Sequence, residues 1–273
     1  MAQGKSREPY VLGHSDSELA RLERQAGFFG EMTRDVLERA GVKPGMRVLD
    51  IGCGVGDVTQ IAASLVGNRG RVLGIDISDQ ALAAARSRAN AKKLKQVEFR
   101  SGGVDAFTAF AEYDAIIGRF ILIHLPDARA SIARIKDMAS KGTPIAFAEL
   151  DLTSTSSTRP LPLMMENVER IADLYRAAGF EPDMGSNLYA TFRGAGLEPH
   201  LIGHTRIGNS REIDGFDYLV ESVRSLAPIM AKLGIATPEE IGLDTLRARL
   251  LAEAEKTDAC IFYPRFIGAW ARA

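Results

Sequence analysis

Three alternating glycines follow an acidic residue in the stretch VLDIGCGVGDVT, at positions 48–59 of the 273-residue chain. Gly52, Gly54 and Gly56 stand between an apolar run typical of a strand and a run typical of a helix. Glycines at such a junction let the backbone come close to a bound nucleotide, because they carry no Cβ. The pattern therefore predicts a nucleotide-binding loop and raises the question of which nucleotide it binds.

Hydride transfer from a nicotinamide dinucleotide is the first chemistry to consider. Its fingerprint is G-x-G-x-x-G, in which the third glycine permits close packing of helix and strand beside the pyrophosphate. Counted from Gly52, that third position is Asp57. A carboxylate at the start of the helix is electrostatically unfavourable for a diphosphate. The sequence therefore favours a ligand without phosphates over a nicotinamide cofactor.

Four segments, taken in order, resemble one enzyme family. The glycine stretch resembles the D-x-G-x-G-x-G first motif of class I S-adenosylmethionine-dependent methyltransferases, with Asp50 as its leading acid. VLGIDIS places Asp76 at the end of the second strand, and EYDAIIGRFILIHLPD (112–127) is similar to the fourth-strand motif of small-molecule methyltransferases. YVLGHSDSELARLERQ (10–25) is similar to the lead-in helix of some of these enzymes. The resemblance implies S-adenosyl-L-methionine as cofactor and S-adenosyl-L-homocysteine as product.

The resemblance also implies roles for individual residues. Asp76 would accept hydrogen bonds from both ribose hydroxyls, and the Gly52–Gly56 loop would pass under the ribose and the methionine. Asp50, through water, and the Gly118 carbonyl would bind the methionine ammonium. The expected cofactor-binding residues are Tyr10, Gln25, Asp50, Gly52, Gly54, Gly56, Asp76, Ile77, Gly103, Val104, Asp105, Gly118 and Arg119.

The adenine segment departs from the family pattern. After VEF the usual x-x-G-D-A places an Asp on the adenine amino group, but here the chain reads RSGGVDA. Gly103 therefore stands at the Asp position and Val104 at the Ala position. Either Asp105 takes over from one residue further on, or backbone and water hold the amino group.

His124 and Arg119 are the candidates for direct chemistry. His124 follows the fourth strand, at the end of the sheet where substrates bind in this fold, and is a candidate general base for a phenol or amine nucleophile. Its alternative interpretation is a helix-start histidine that packs locally against Leu125 and Pro126. Arg119 could pair with the methionine carboxylate or a substrate anion, or it could be a surface arginine.

Other polar residues near the N-terminus and in the later strands allow two interpretations. Arg21 and Gln25 are one helical turn apart and would meet the cofactor's tail if their helix lies over it. Tyr10 precedes that helix and could close over the sulfonium. His200 and His204 lack a third ligand at suitable spacing, so we expect no metal site.

Short apolar runs alternate with helical patterns through the middle of the chain. The strands are predicted at 46–51, 71–76, 97–101, 114–118 and 144–150, and the helices at about 57–67, 79–92 and 128–139. Continuous apolar strands suit a parallel sheet covered on both faces. The predicted fold class is α/β, a doubly wound, seven-stranded, Rossmann-like methyltransferase sheet with an N-terminal helical segment and a helical cap.

Three regions are predicted. Residues 1–45 are an N-terminal arm and helical lead-in, 46–152 a Rossmann-like core that binds S-adenosylmethionine, and 153–273 the cap helices with the last two strands, at 198–208 and 259–273. A cap built from residues 153–195 and 212–257, together with the N-terminal helix, is expected to enclose the acceptor. The aromatic residues of 153–195 and 212–257 include Tyr175, Tyr189, Phe192, Phe216 and Tyr218.

Composition narrows the function classes. The formal net charge of −1 argues against a nucleic-acid partner or an anionic membrane surface, and no apolar run of membrane-spanning length occurs. With two cysteines and no segment resembling a signal peptide, a cytoplasmic location is expected. The predicted function is methyl transfer to a small molecule by in-line displacement, in a monomer or homodimer. The alternatives are an RNA or protein methyltransferase and a non-catalytic protein that binds S-adenosylmethionine.

Overall fold

A computed structural model describes the chain from residue 16 to residue 273, with side chains from residue 27 onward apart from that of residue 213. Strands and helices alternate along the first half of this range. The strands are β1 (Arg47–Ile51), β2 (Arg71–Asp76), β3 (Val97–Ser101), β4 (Ala115–Arg119), β5 (Pro144–Asp151), β6 (Ser156–Ser157), β7 (His200–His204), β8 (Ile207–Asn209), β9 (Cys260–Phe262) and β10 (Arg265–Arg272). The helices are α1 (Asp16–Ala40), α2 (Asp57–Val66), α3 (Asp79–Ala91), α4 (Ala128–Met138), α5 (Pro162–Ala177), α6 (Met184–Gly194), α7 (Ile213–Lys232), α8 (Pro238–Ile241) and α9 (Leu246–Ala254).

The main sheet has seven strands in the order β3-β2-β1-β4-β5-β10-β7. The first five are parallel, and β10 runs antiparallel between β5 and β7. The order in which strands are added reverses at β1: β2 and β3 lie on one side of it, and β4 and β5 lie on the other. At this point Asp50 pairs with Gly74 of β2 and with Ile117 of β4. Because ligands of such sheets bind beyond the carboxyl ends of the strands at this reversal, the topology locates the candidate site. The predicted fold class is confirmed.

Both faces of the sheet are covered, as the uninterrupted apolar strands predicted. On one face Val48, Val72 and Ile117 pack under α2 and the end of α1. Their neighbours in sequence, such as Leu49 and Ile116, point to the other face, under α4 and α6. Alternate residues of one strand thus belong to two separate cores.

Local sequence determines where several helices begin and end. The Ser78 side chain accepts a hydrogen bond from Ala81 N–H at 3.1 Å, and Asp127 accepts one from Ala130 N–H at 2.8 Å, so both are N-caps. Gly67, at φ +65°, follows the last residue of α2. The predicted helices 57–67, 79–92 and 128–139 agree with the structure to within one residue at each end.

The two late strands predicted at 198–208 and 259–273 are each split, and this part of the prediction was wrong. β7 and β10 join the main sheet, whereas β8 and β9 join β6 in a separate three-stranded sheet. The break in the second segment falls at Tyr263 and Pro264, and proline cannot donate a ladder hydrogen bond. The small sheet also explains why part of the polar stretch after β5 is extended.

The insertion predicted at 212–257 is helical, as expected, and consists of α7, α8 and α9. Its apolar face packs on α1 and α5 and forms a third core that includes Val223 and Leu250. The expectation that α6 belongs to the cap was wrong, because α6 packs on β5 and β10. Phe192 is fully buried there against Phe147, and Tyr189 faces outward with 52% of its surface exposed.

Between residues 16 and 273 no helix combines the length and the apolar character needed to cross a membrane. α1 and α7 are 25 and 20 residues long, but charged residues interrupt both. Cys53 is buried and Cys260 half-buried, and both are free thiols.

Candidate active site

One cleft opens at the carboxyl ends of β1, β2, β4 and β5 and continues beneath α5 and α7. It contains about 1520 Å³ of empty space, its open mouth included. Its wall runs from the glycine loop and Asp76 to side chains of α5 and α7, so one continuous space joins these two regions. The predicted site residues that line it are Gly52, Gly54, Asp76, Arg119 and His124.

The glycine loop has the conformation that its residue types require. Gly52, Gly54 and Gly56 have φ values of +67°, +51° and +83°, in the left-handed region that favours glycine. A Cβ at Gly52 would lie 2.6 Å from the Ile121 side chain, and one at Gly56 would lie 2.9 Å from Phe99. The position of a Cβ at Gly54 is open, with no atom within 4 Å. The loop is therefore packed from behind at two glycines and leaves free space at the third.

Asp76 joins the glycine loop to the end of β2. Its Oδ2 accepts a hydrogen bond from Gly54 N–H and its Oδ1 accepts one from Ser78 N–H, both at 2.9 Å. A carboxylate has about four acceptor positions, so two remain for a ligand. The half-buried side chain lines the cleft. A vicinal diol is a ligand that this arrangement can bind.

Asp50 is fully buried beside the same loop. Its Oδ2 accepts a hydrogen bond from Thr59 Oγ1 at 2.6 Å, whereas its Oδ1 has no hydrogen-bond partner among the described residues. Burial raises the pKa of Asp50 to about 7, against the opposing effect of the Thr59 hydrogen bond. A buried oxygen without a partner fits a site that a water molecule and a cation complete.

Arg119 is buried, so the interpretation as a surface arginine was wrong. It donates from Nη1 to Thr33 Oγ1 at 2.9 Å, and its Nη2 lies 3.8 Å from Asp57 Oδ2. Burial lowers the pKa of Arg119, and Asp57 opposes that shift. Asp57 also pairs with Arg88 at 2.6 Å. Because two arginines compensate it, Asp57 is not the bare negative charge that the argument against a diphosphate assumed.

His124 lies in a 3-10 turn, Leu122–His124, that follows β4. Its ring is 5.7 Å from the ring of Phe180 and 6.3 Å from that of Tyr175, measured between centroids. His124 and Tyr175 both line the cleft. The histidine therefore combines a packing role against aromatic rings with a position at the cleft wall.

The end of the cleft farther from the glycine loop is apolar. It is formed by the last residues of β5 and by the inner faces of α5 and α7. Its apolar lining consists of Leu150, Leu152, Met164, Val168, Ile171, Leu219 and Leu226. Tyr175 and Tyr218 line it as expected, whereas Phe216 is buried in the core behind it.

Glu149 and Tyr263 are among the polar residues of the cleft that sequence reasoning missed. Glu149 occurs within an apolar strand, where its 1% exposure could not be foreseen. Burial raises the pKa of Glu149 to about 8, although backbone N–H groups of the turn that follows β4 donate hydrogen bonds to its carboxyl group and oppose this shift. Tyr263 follows β9, and its buried hydroxyl has no hydrogen-bond partner among the described residues. Burial raises the pKa of Tyr263 to about 12, so the phenol stays protonated at neutral pH.

The remaining predicted residues lie outside the cleft wall. Gly118 is packed against Phe147, which a Cβ would approach to 2.7 Å, and Val104 is buried in the core. Ile77 is 54% exposed, and its methyl group lies 3.4 Å from the position of a Cβ at Gly103. Asp105 is exposed, and its carbonyl accepts a hydrogen bond from Arg134 at 3.0 Å.

Tyr10 lies outside the described residues, and Gln25 belongs to α1 with a side chain that also lies outside them. Within the described part of the chain, no three His, Cys, Asp or Glu side chains form a group that could hold a metal ion.

Comparison with known proteins identifies the family. A family model described as a methyltransferase domain matches residues 42–196, more than half of the chain. The aklanonic acid methyltransferase DauC of Streptomyces sp. (strain C5) is 36% identical over 122 residues, which cover 44% of this chain and 55% of that protein. The nocamycin O-methyltransferase of Saccharothrix syringae is 34% identical over 108 residues, which cover 39% of each. The alignments thus span about half or less of these relatives.

The fold has counterparts among solved structures. The YcgJ protein of Bacillus subtilis superposes with a TM-score of 0.55 at 17% identity, over 89% of this chain and 99% of that one. The matched residues 42–196 contain the glycine loop, Asp76 and His124. The chain therefore belongs to the methyltransferase domain family and has the class I, S-adenosylmethionine-dependent type of fold.

Proposed function

We propose that this protein transfers the methyl group of S-adenosylmethionine to a small, largely apolar acceptor molecule. The observation that carries the proposal is the continuity of the cleft. It connects a nucleoside-type end, with Gly54 and Asp76, to an apolar end beneath α5 and α7. A methyl donor at the first end and an acceptor at the second would meet inside one water-poor space.

Several residues at the cofactor end suit the groups of S-adenosylmethionine. Asp76 would accept hydrogen bonds from the ribose hydroxyls, and Gly54 would let its backbone approach the ribose. Asp50, through water at its free Oδ1, and the Gly118 carbonyl would bind the ammonium, and Arg119 would bind the carboxylate. Ile77, Gly103, Val104 and Asp105 are the candidates for the adenine, and Tyr10 and Gln25 remain candidates to cover the cofactor.

When bound, S-adenosylmethionine supplies an electrophilic methyl group on a sulfonium. The protein's own contribution is then to align the acceptor atom and to exclude water, since an in-line displacement needs no covalent enzyme intermediate. The apolar lining from Leu150, Val168 and Leu219 serves both purposes. His124, at the cleft wall, would accept the proton that a phenol or amine acceptor loses.

The named relatives support a small-molecule acceptor. They are an aklanonic acid methyltransferase and a nocamycin O-methyltransferase, and each name gives a single compound, not a nucleic acid or a protein, as the molecule that is methylated. A net charge of −1 also gives no basic field for nucleic acid. A cytoplasmic location and a monomeric or homodimeric state remain our predictions.

Turnover with a panel of phenolic and amine ring compounds tests the proposal. We expect S-adenosylhomocysteine to form with at least one member of the panel. Val168→Trp, which fills the apolar end, should abolish turnover and leave S-adenosylhomocysteine binding intact. Leu201→Trp, on the exposed edge strand β7, is the matched control and should be fully active. If Val168→Trp keeps full turnover, the acceptor does not bind beneath α5 and α7.

A further inference from the structure

The segment that follows β4 contacts both ends of the cleft. The Ile121 side chain fills the space behind the glycine loop, 2.6 Å from where a Cβ at Gly52 would lie. Three residues later, His124 lines the cleft beside Tyr175. A shift of this one turn would therefore change the cofactor loop and the acceptor end together.

The turn is held in a conformation that side chains rarely adopt. Phe120, its first residue, has a φ of +56°, in the left-handed region that favours glycine. Such a residue persists only when its surroundings impose the conformation. Its N–H donates to the Ala148 carbonyl at 2.9 Å, and its ring packs edge-on against Phe29 and Phe266 at 5.3 and 5.8 Å.

A buried carboxylate binds the next two residues of the turn. Glu149 Oε1 accepts hydrogen bonds from Ile121 N–H at 3.0 Å and from Leu122 N–H at 2.7 Å. Within the described residues no Lys, Arg or His lies within salt-bridge distance of Glu149. Burying a carboxylate without a cation is unfavourable, so its backbone hydrogen bonds are what offset this placement.

We infer that Glu149 is a positioning residue for methyl transfer, holding the Phe120–His124 turn so that Ile121 supports the cofactor loop and His124 faces the acceptor. This inference rests on the proposed function and deepens it. Glu149 acts here through the geometry of its two hydrogen bonds. A Gln side chain with an oxygen in the same place should therefore replace it, and a carboxyl side chain that is too short should not.

Two substitutions separate the reach of the side chain from its carboxyl chemistry. Glu149→Gln keeps a carbonyl oxygen with two acceptor positions at the same reach. Glu149→Asp keeps the carboxyl group but shortens the side chain by one methylene, about 1.5 Å, so that its oxygen cannot reach both N–H groups. Asp151→Asn is the control, since Asp151 is a buried carboxylate of the same strand that binds Ser186 and Arg265 instead.

The test measures the full chain by NMR, using the Ile121 methyl and His124 ring resonances without ligand, and by calorimetry with S-adenosylhomocysteine. We expect Glu149→Asp to move both resonances and to weaken S-adenosylhomocysteine binding by about fivefold or more. Glu149→Gln and Asp151→Asn should keep both resonances and stay within about twofold of wild-type affinity.

Wild-type resonances and affinity in Glu149→Asp would overturn the inference, as would failure of Glu149→Gln to preserve them. If the wild-type chain does not bind S-adenosylhomocysteine, the proposed function fails, while the ligand-free resonances still decide the role of Glu149.

Discussion

Replacing Asp50 by Asn should make the ligand-free protein more stable, and increasingly so as the pH rises. Burial raises the pKa of Asp50 from 3.8 to about 7. Because the folded pKa lies above the unfolded value, the folded state favours the protonated carboxyl group. The stability that this group contributes is therefore complete below about pH 4 and is lost as the pH rises through about 7.

The magnitude follows from the two pKa values. Between pH 5 and pH 8 the wild-type free energy of unfolding should fall by about 2.5 kcal/mol relative to that of Asp50→Asn. Asn retains an oxygen that accepts the hydrogen bond from Thr59, so the main change is the loss of the buried charge. Other titrating groups are present in both proteins and cancel in the difference.

Urea unfolding at pH 5, 6, 7 and 8 measures the effect. Asp137→Asn, whose parent side chain is 69% exposed, is the control and should follow the wild-type pH dependence. A stability difference between wild type and Asp50→Asn that stays constant from pH 5 to pH 8 would refute the reasoning.

Two further predictions concern the cofactor end of the cleft. Asp76→Ala should weaken S-adenosylhomocysteine binding tenfold or more in calorimetry, since a hydrogen bond to a charged group contributes about 1.5–3 kcal/mol. The control is Asp79→Asn, on the exposed first turn of α3, which should bind S-adenosylhomocysteine with wild-type affinity. Equal affinities for these two variants would place the ribose elsewhere. Gly52→Ala should lower the free energy of unfolding by more than about 1 kcal/mol, because its φ is +67° and the new Cβ would meet Ile121. Gly27→Ala, in open space on α1, should instead stabilise the protein by about 0.5–1 kcal/mol, and thermal unfolding of the pair checks both signs.

Local patterns were sufficient to predict the parallel part of the sheet and its glycine loop. Gly52, Gly54 and Gly56 have positive φ values between β1 and α2, and Asp76 ends β2, at the places where the local pattern predicted the loop and the end of that strand.

The missed features depend on contacts between distant parts of the chain. β6, β8 and β9 have only two or three residues each, and the pairing of three separate segments makes them a sheet. Glu149 is indistinguishable in sequence from a strand residue that faces solvent, until the turn at Ile121 and Leu122 is placed over it. The burial of Arg119 depends in the same way on Thr33 of α1, 86 residues away.

Calorimetry with two competing nucleotides tests the central claim most directly. The full chain should bind S-adenosylhomocysteine saturably at one site, because Asp76 can accept hydrogen bonds from ribose hydroxyls, and the buried Asp50 and Arg119 offer partners for an amino-acid tail that NAD lacks. NAD should give no saturable heat under the same conditions. Saturable NAD binding together with no response to S-adenosylhomocysteine would contradict the account.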